Sequence, residues 1–273
     1  MNLIVFGKEI PIYGLAFFFG IAAAALVAIF LFKKRKIPFL NLVGSAIYTV
    51  VGGMIGAKLL FLAVTWSTVV EESRAFLEAG GSFFELAYWI LSGGFVFYGG
   101  LIGGVIGLFV YCRQFKRPLS AIFDIYAVVL PLGHAFGRVG CFFAGCCYGM
   151  PYDGVFSYTY FVEGMLFDGA GKDALYGRSL FPVQLFEAAF LFLIFLTLCL
   201  LYRKFIHVEG LFVTLYLSMY SVTRFVLEFF RYDAIRGVYF GLSTSQWISI
   251  ALFLCATAIG YKTASTSSQK SRR

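Results

Sequence analysis

The sequence predicts an all-α integral membrane protein with about seven transmembrane helices, its N-terminus outside and its C-terminus cytoplasmic. Of the 273 residues, 60% are hydrophobic and only 13% are charged. The mean hydropathy of +0.86 lies outside the range of soluble globular domains. Apolar runs of about 20 residues, the length that crosses a hydrocarbon core of about 30 Å, recur along the chain. The sequence carries no internal repeat and no nucleic-acid-binding motif.

Each of seven apolar runs is expected to span the membrane. Pro131 and Gly133 interrupt the fourth run, so its end is the least defined. The first run is too long for a cleaved signal peptide, and basic residues follow it instead of preceding it. The runs cover residues 11–32, 44–66, 94–112, 119–136, 183–202, 210–230 and 244–261.

The distribution of lysine and arginine predicts the orientation, because cytoplasmic loops carry an excess of both. With the N-terminus outside, the inner segments are the richer in basic residues although the outer segments are longer. The inner residues are Lys33, Lys34, Arg35, Lys36, Arg113, Lys116, Arg117, Arg203, Lys204, Lys262, Lys270, Arg272 and Arg273.

One transmembrane catalytic domain is expected over residues 1–262. Residues 67–93 mix acids with aromatics, which suits a helix in the membrane interface. Residues 137–182 are rich in glycine and aromatics without a spanning period, which favours a small extracytoplasmic cap. Residues 263–273 are predicted to form a flexible cytoplasmic tail with no fold of its own.

Five Asp, Glu, Lys or Arg side chains fall inside the predicted spans, where a charge is costly unless it is paired or hydrated. They are Lys58, Asp124, Glu187, Arg224 and Glu228. Arg224 and Glu228 are four residues apart, so they share a helix face and can pair. A structural ion pair that locks two helices is one interpretation of that spacing.

Two further arginines favour an anion site over a purely structural pair. Arg138 and Arg231 are expected at the outer ends of their helices, and together with Arg224 they give a surplus of positive charge. Arginine binds phosphate oxygens through a two-pronged set of N–H donors and stays charged when partly buried. In a membrane, the ligand that fits is a phospholipid headgroup.

Five short motifs follow one another along the chain. They are Tyr13 in "IYGLAF", "YGGLIGG" at 98–104, Asp124 before "PLGHAFGRVG", "FPVQLFEA" at 181–188 and "RFVLEFFR" at 224–231. In their order and spacing, over nearly the whole chain, these motifs resemble the prolipoprotein diacylglyceryl transferases of bacteria.

The resemblance implies transfer of a diacylglyceryl group from phosphatidylglycerol to the lipobox cysteine thiol of a prolipoprotein. The reaction would form a thioether and release glycerol phosphate at the outer face of the cytoplasmic membrane. It implies no metal or organic cofactor and no nucleic-acid partner, and we expect a monomer. The reaction needs a thiolate nucleophile and stabilisation of charge on the departing phosphate.

Arg224, Glu228 and Arg231 are spaced to form one polar stripe at the outer end of the sixth span. The resemblance and this polar stripe together give a set of expected site residues. Catalytic roles are expected for Arg224, Glu228, Tyr98, His134 and Tyr13. Binding of the lipid phosphate and headgroup is expected for Arg138, Arg231, Gly99, Gly100, Asp124, Gln184 and Glu187. Arg138 matches the arginine of the family's G-R-x-G signature.

The chain departs from the family pattern at several polar positions. Tyr98 stands where the family usually has histidine, and Phe181 replaces a second histidine. In the signature loop, Cys141, Ala144 and Cys146 occupy positions of asparagine, asparagine and glutamate. These departures leave the acceptor and the base open.

Two residues are candidates for the base, because a phenol such as that of Tyr98 is a poor base near neutral pH. One candidate is Glu228. The other is His134, which precedes Arg138 by four residues and would share its helix face. A single hydrogen bond in a helix interface is the alternative role for His134.

The three clustered cysteines, Cys141, Cys146 and Cys147, have competing interpretations. A structural zinc site usually takes four ligands, and only His134 lies near these thiols in sequence, so no metal site is predicted. A disulfide between Cys146 and Cys147, or from Cys141 to either, is compatible with an extracytoplasmic position. Weakly polar packing beside Arg138 and a role as thiol carrier are the other interpretations.

Three other functions are compatible with parts of the sequence. A divergent lipid transferase of the same fold with a different acceptor would account for the lost histidine, asparagine and glutamate. A membrane thiol-redox protein would use the three cysteines. A transporter fits less well, because the polar residues cluster near one face and the two halves lack paired broken helices.

Overall fold

The structure is a computed structural model that describes residues 2–5, 8–159, 177–232 and 237–271. Within these residues most of the secondary structure is helical. The helices are α1 (Ile12–Lys34), α2 (Phe39–Val64), α3 (Trp66–Glu78), α4 (Phe83–Ser92), α5 (Phe97–Gln114), α6 (Leu119–Ala144), α7 (Val183–Phe205), α8 (Leu211–Leu227) and α9 (Thr244–Ser271).

Short strands connect some of the helices as antiparallel pairs. A 3-10 turn, Glu228–Phe230, directly continues α8. The paired strands are β1 (Asn2–Val5) with β2 (Lys8–Pro11), β3 (Tyr158–Thr159) with β4 (Ser179–Leu180), and β5 (Val238–Tyr239) with β6 (Leu242–Ser243).

The predicted fold class is confirmed, because six of the described helices are long and apolar enough to cross a membrane. They are α1, α2, α6, α7, α8 with its 3-10 turn, and α9 as far as Ser265. The third expected span is α5, which passes the same test together with α4. The two are bent by 85°, so they form a broken span or a re-entrant pair.

Helix α6 is longer than the fourth predicted span. It continues past residue 136 to Ala144 with Pro131 inside it. A proline removes one backbone hydrogen bond, and here the surrounding face of α6 is buried at Leu132, Ala135 and Gly140. Burial of this face therefore offsets the cost of the proline. Residues 137–144, predicted as part of a cap, are helical for this reason.

Much of the expected cap lies outside the described residues, since residues 160–176 belong to it. The described remainder, from 145 to 159 and from 177 to 182, contains the β3 and β4 pair, in which Tyr158 lies opposite Leu180.

Helix α9 runs to Ser271, so the backbone of residues 263–271 continues the last helix. The segment predicted as a tail without a fold of its own is therefore helical in the structure. These residues contain no proline or glycine. Lengthening an existing helix requires no new nucleus.

The chain divides into two compact units. One, called here the inserted unit, is Lys36–Leu119. The other, called the main unit, comprises Met1–Arg35 and Ser120–Arg273.

In the inserted unit, α2 and α5 pack backbone to backbone through glycines. A Cβ added to Gly52 would lie 2.5 Å from the carbonyl oxygen of Gly103. One added to Gly99 would overlap the carbonyl oxygen of Gly56. Small residues allow this close approach in lipid, where no hydrophobic force drives helices together. Gly99, predicted to bind the headgroup, is therefore a packing residue in the structure.

Lys58, one of the charged residues inside a span, is satisfied within the inserted unit. Its ammonium donates a 2.8 Å hydrogen bond to the carbonyl of Gly93. It also lies 5.0 Å and 5.2 Å from the ring centres of Phe61 and Phe95, which is within range for cation–π attraction. These contacts give Lys58 a structural role beside the break between α4 and α5.

In the main unit, Asp124 of α6 caps the N-terminus of α8. Its carboxylate accepts backbone hydrogen bonds from Gly210 at 2.9 Å, Phe212 at 3.1 Å and Val213 at 3.2 Å. The guanidinium of Arg35 lies 3.5 Å from the same carboxylate. A buried carboxylate at a helix N-terminus is stabilised both by these unpaired N–H groups and by the helix dipole.

The glycine packing predicts different outcomes for two neighbouring substitutions on α5. Gly103→Ala pushes a methyl group against the backbone of Gly52 and should lower the free energy of unfolding by about 1–3 kcal/mol. Gly100→Ala should be nearly neutral, because its Cβ would lie 3.5 Å from Ala57. Both gain the same helix propensity, so denaturant unfolding in detergent isolates the packing effect. Equal stability of the two variants would contradict this packing.

The cap predicts that Asp124→Ala destabilises the protein by about 3 kcal/mol, because buried N–H groups and Arg35 lose a charged partner. Asp124→Asn should cost less, since its amide oxygen still accepts. Asp153→Ala, at an exposed loop position, serves as the matched control. Thermal unfolding of the three variants in one detergent provides the measurement.

Candidate active site

Glu187 is the centre of a buried polar group formed by three helices of the main unit. Its carboxylate on α7 is fully buried, and its Oε1 lies 3.1 Å from Nε of Arg138 on α6. The hydroxyl of Tyr220 on α8 donates a 3.3 Å hydrogen bond to the same oxygen. Nε2 of His134 lies 4.0 Å from it, one helical turn before Arg138. We call these four residues the Glu187 cluster.

A second group forms around Glu228, where α8 tightens into its 3-10 turn. Arg224 lies 2.7 Å from Oε2 of Glu228, as the four-residue spacing predicts. Nε of Arg231 lies 3.7 Å from the same oxygen. Ser243 donates a 2.8 Å hydrogen bond to Oε1, and Arg224 donates a 3.1 Å bond to Ser245. These five residues are the Glu228 cluster.

Arg231 lies beyond the end of α8, although the polar stripe predicts it on the same helix as Arg224 and Glu228. Helix α8 ends at Leu227, and Arg231 follows the 3-10 turn with extended backbone. Its side chain nevertheless turns back to Glu228 and is almost fully buried. Arg224, Glu228 and Arg231 therefore remain neighbours in the structure, although Arg231 is not part of α8.

The two clusters are close enough to interact through their charges. The carboxylate of Glu187 interacts electrostatically with Arg138, Arg224 and Arg231. Three guanidiniums thus face two carboxylates, which leaves one positive charge in surplus when His134 is neutral.

Among the described residues, the buried atoms of this site that lack a hydrogen-bond partner include Nη1 of Arg224 and Oε2 of Glu187. A buried polar group without a partner costs free energy, so such atoms commonly meet a ligand or water. An unsatisfied donor beside a surplus positive charge fits an anionic ligand.

The loop after α6 connects the two clusters through its backbone. Gly149 and Arg231 form an antiparallel bridge, the amide of Met150 donates to the carbonyl of Phe230 at 2.9 Å, and Phe181 donates to Met150 at 3.0 Å. A Cβ on Gly149 would lie 2.8 Å from the oxygen of Phe230. Only glycine fits at this crossing, which fixes the loop against the segment that carries Arg231.

Cys141, Cys146 and Cys147 form a thiol cluster in this loop. Their sulfur atoms all lie within 4.8 Å of one another, and Gln184 on α7 donates a 2.9 Å hydrogen bond to the carbonyl of Cys146. The thiols of Cys141 and Cys146 hydrogen-bond to the sulfur of Cys147 and lower its pKa, as do the charges of Arg231 and Arg138. The same thiol contacts raise the pKa of Cys146.

Tyr13, at the start of α1, packs beside this loop. Its ring lies against Gly140, where an added Cβ would come within 3.1 Å of Tyr13 Cδ2. The side chain is 45% exposed and interacts electrostatically with Arg138 and with the thiol cluster. Tyr13 is therefore a surface residue at the edge of the site.

Some predicted site residues lie elsewhere. Asp124 belongs to the far end of α6, about 21 Å along the helix axis from Arg138, and its carboxylate is used by the α8 cap. The prediction that it binds the headgroup does not fit this position. Tyr98, 37% exposed, and the glycines that follow it, Gly99 and Gly100, lie in the inserted unit.

Tyr220, Ser243 and Ser245 were absent from the sequence-based site. Tyr220 precedes Arg224 by four residues, a spacing that signals a shared helix face. Ser243 and Gln246 fit the capping-box pattern at the start of α9, and they do bond each other's backbone N–H groups. Nothing in the sequence signals that Ser245 reaches Arg224.

The helices and the buried charges define a multi-pass membrane protein with an arginine-rich polar site at one end of its main unit. A family model described as prolipoprotein diacylglyceryl transferase matches residues 2–261. The chain belongs to this family, which confirms the resemblance.

Named relatives match over nearly their whole length. A phosphatidylglycerol–prolipoprotein diacylglyceryl transferase of Clostridium tetani is 32% identical over 246 residues, or 90% of each chain. A second enzyme of this name, from Clostridium perfringens, is 33% identical over 92% of this chain and 90% of its own. The Campylobacter curvus enzyme is 29% identical over 91% and 88%. The identity extends far beyond the short motifs.

The Glu187 cluster predicts a large loss of stability for Glu187→Ala. Arg138 would keep its buried charge without a carboxylate, which typically costs about 3–5 kcal/mol. Glu187→Gln should cost less, because its amide oxygen still accepts from Tyr220. The exposed Glu72→Ala, expected to change stability by no more than about 0.5 kcal/mol, is the control. Unfolding midpoints in detergent compare the three, and a Glu187→Ala value equal to the control would exclude a paired charge.

Proposed function

We propose that this chain transfers a diacylglyceryl group from phosphatidylglycerol to the lipobox cysteine thiol of a prolipoprotein. The family and the names of its relatives support the reaction. The observation that carries the assignment is the pair of buried clusters, in which three arginines exceed two glutamates by one positive charge. A single phosphodiester anion is the ligand that this surplus fits.

The three arginines have separate roles toward the phosphate. Arg224 offers Nη1, which has no partner within the described residues, while its Nη2 is held by Ser245 and Glu228. Arg138 is oriented by Glu187, and its side chain remains 16% exposed. Arg231 adds charge from the segment behind Glu228. Orientation before binding matters, because donors already in place need no reorganisation as charge develops.

The reaction exchanges one bond for another at a glycerol carbon of the lipid. The acceptor thiolate attacks the diacylglyceryl carbon that bears the phosphate ester, so that a carbon–sulfur bond forms as the carbon–oxygen bond breaks. The electron pair leaves on the ester oxygen of glycerol phosphate. Charge therefore grows on the phosphate in the transition state, where Arg138 and Arg224 stabilise it. The thiol proton goes to a base.

His134 is the base that the geometry favours. Its imidazole lies 4.0 Å from Glu187 and packs edge-on to Tyr220, and the side chain is partly accessible. Glu228, the other candidate, has Arg224 and Arg231 on one carboxylate oxygen and the Ser243 hydroxyl on the other. A carboxylate held in this way serves better as an anchor for the arginines than as a proton acceptor.

Further site residues fit supporting roles. Gln184 holds the loop of the thiol cluster through the Cys146 carbonyl, and Glu187 orients Arg138. Tyr13 lines the exposed edge of the site. Tyr98 and Gly100 remain predictions from the family pattern.

The site is proposed to face the outer leaflet of the bacterial cytoplasmic membrane, in a protein that acts as a monomer. The excess of lysine and arginine in the predicted inner loops supports this orientation. The Asp124 cap and Arg35 then lie at the cytoplasmic ends of the same helices.

The acceptor is the part of the reaction for which a second candidate deserves a test. Tyr98 and Cys146 stand where the family usually has histidine and glutamate. A thiol acceptor other than a lipobox cysteine is compatible with those changes. Replacing the lipobox peptide by unrelated cysteine peptides in the assay below separates the two candidates.

We predict that Arg138→Gln lowers transferase activity by at least about 100-fold, the scale of losing one transition-state donor. Purified protein in vesicles of phosphatidylglycerol is incubated with a lipobox peptide, and mass spectrometry detects the thioether. Arg203→Gln, at an exposed cytoplasmic helix end, should leave the rate unchanged. Phosphatidylethanolamine vesicles and a peptide with serine for cysteine are the blanks. Full activity of Arg138→Gln, or no product from wild type, would refute the proposal.

His134→Gln should reduce the rate by roughly 100-fold or more if His134 accepts the thiol proton. The chain has one other histidine, and His207→Gln in the turn between α7 and α8 is the matched control. The loss should shrink when the acceptor peptide carries a more acidic thiol, because such a thiol needs less help from a base. An equal loss with both peptides would assign His134 a structural role.

A further inference from the structure

The thiol cluster is not explained by the transfer reaction. Cys141, Cys146 and Cys147 converge within 4.8 Å of one another, whereas Cys112, Cys199 and Cys255 are single cysteines of α5, α7 and α9. Convergence of three soft donors in an otherwise apolar chain calls for a chemical role.

The end of α6 brings the first two thiols together. The amide of Cys146 donates to the carbonyl of Cys141, and Gly145 donates to Phe142, both at 3.2 Å, with Gly145 at a φ of +71°. This is the Schellman pattern, which places the side chains three residues before the helix end and two residues after it in contact. Here those two positions are Cys141 and Cys146.

The third thiol reaches the pair through a second left-handed residue. Cys147 has a φ of +59°, a conformation that residues other than glycine seldom adopt. This turn directs its side chain back to Cys141 and Cys146 instead of away along the loop. A non-glycine residue held there is costly, and such positions concentrate at functional sites.

We propose that Cys141, Cys146 and Cys147 form a three-thiolate binding site for one thiophilic d10 cation, Zn²⁺ or Cu⁺. Sulfur ligands select such soft metals over Mg²⁺ or Ca²⁺, which require oxygen. At a metal–sulfur distance of about 2.3 Å, the sulfurs would lie about 3.8 Å apart. Thiol rotations reach this from the present spacing.

The absence of a fourth protein ligand selects the kind of site. No histidine or carboxylate from the described residues joins the three sulfurs. The lack of a fourth ligand in the sequence therefore argues only against a closed structural zinc site. It does not argue against trigonal Cu⁺, or against Zn²⁺ whose fourth position is filled from solvent or by a substrate thiol.

The surroundings favour a negatively charged complex. Three thiolates exceed the charge of either cation, and Cys147 interacts electrostatically with Arg231 and Arg138. Gln184 and the bridge between Gly149 and Arg231 hold the loop on both sides of the thiols. A bound cation would fix the end of α6 to the start of the loop whose Gly149 pairs with Arg231.

The test is a metal titration of the reduced full-length protein in detergent under argon. Cd²⁺ is the probe, followed by thiolate-to-metal charge transfer in the ultraviolet, and elemental analysis after separate loading with Zn²⁺ and Cu⁺ distinguishes the two cations. One equivalent per chain is expected. Cys141→Ser and Cys146→Ser should each weaken binding more than about 10-fold. Loss of a residue that only supports a metal ligand already weakens binding by about 10-fold or more, and these two cysteines would be ligands themselves.

Two controls separate the site from general thiol chemistry. Cys112→Ser, Cys199→Ser and Cys255→Ser should bind Cd²⁺ as wild type does. In wild-type protein, bound Cd²⁺ should protect the three clustered thiols from alkylation, a readout that needs no variant to fold. Binding below about one tenth of an equivalent, equal binding by all variants, or reoxidation to a disulfide that Cd²⁺ does not prevent would overturn the proposal. None of these readouts depends on transferase activity.

Discussion

The burial of like charges in an apolar medium is the constraint on which this structure depends. Arg138, Arg224 and Arg231 stay together only because Glu187 and Glu228 lie between them. Removing a charge from water is expensive, and a buried pair gains back that cost only with good geometry and further hydrogen bonds. Tyr220, Ser243 and Ser245 supply those bonds. The remaining surplus of one positive charge is the basis of the proposed anion binding.

The sequence predicted the helices well because their signal is physical and local. Runs of about 20 apolar residues have few alternatives in a membrane, and the helices found differ from the expected spans mainly at their ends. The pairing of Arg224 with Glu228 was predictable for the same reason, since a spacing of four fixes neighbours on one helix. The extension of α6 through Pro131 was not, because it depends on how the surrounding face is buried.

Contacts between distant segments could not be predicted from spacing. Asp124 had the features of a functional carboxylate, being charged and inside a span, yet its partners are backbone N–H groups of residues 210 to 213. Gly99 matched a family motif, and its neighbour across the helix pair turned out to be Gly56. In both cases the local sequence showed what kind of residue stands at the position. It did not show which residue of another segment would contact it. For Arg138, the family resemblance filled part of this gap. Its match to the G-R-x-G signature predicted a place in the site that the spacing of residues alone could not predict.

The Asp124 cap has a mechanical consequence at the other end of the same helices. Because α6 and α8 are joined near their first turns, neither can slide along the other without breaking three backbone hydrogen bonds. A slip of one residue would move Arg224 past Arg138 by about 1.5 Å, which is enough to misalign two donors on one phosphate. The spacing of the arginines is thus set in part by a joint some 20 Å away. The cap therefore fixes the register between α6 and α8, and with it the distance between the two arginines proposed to bind the lipid phosphate.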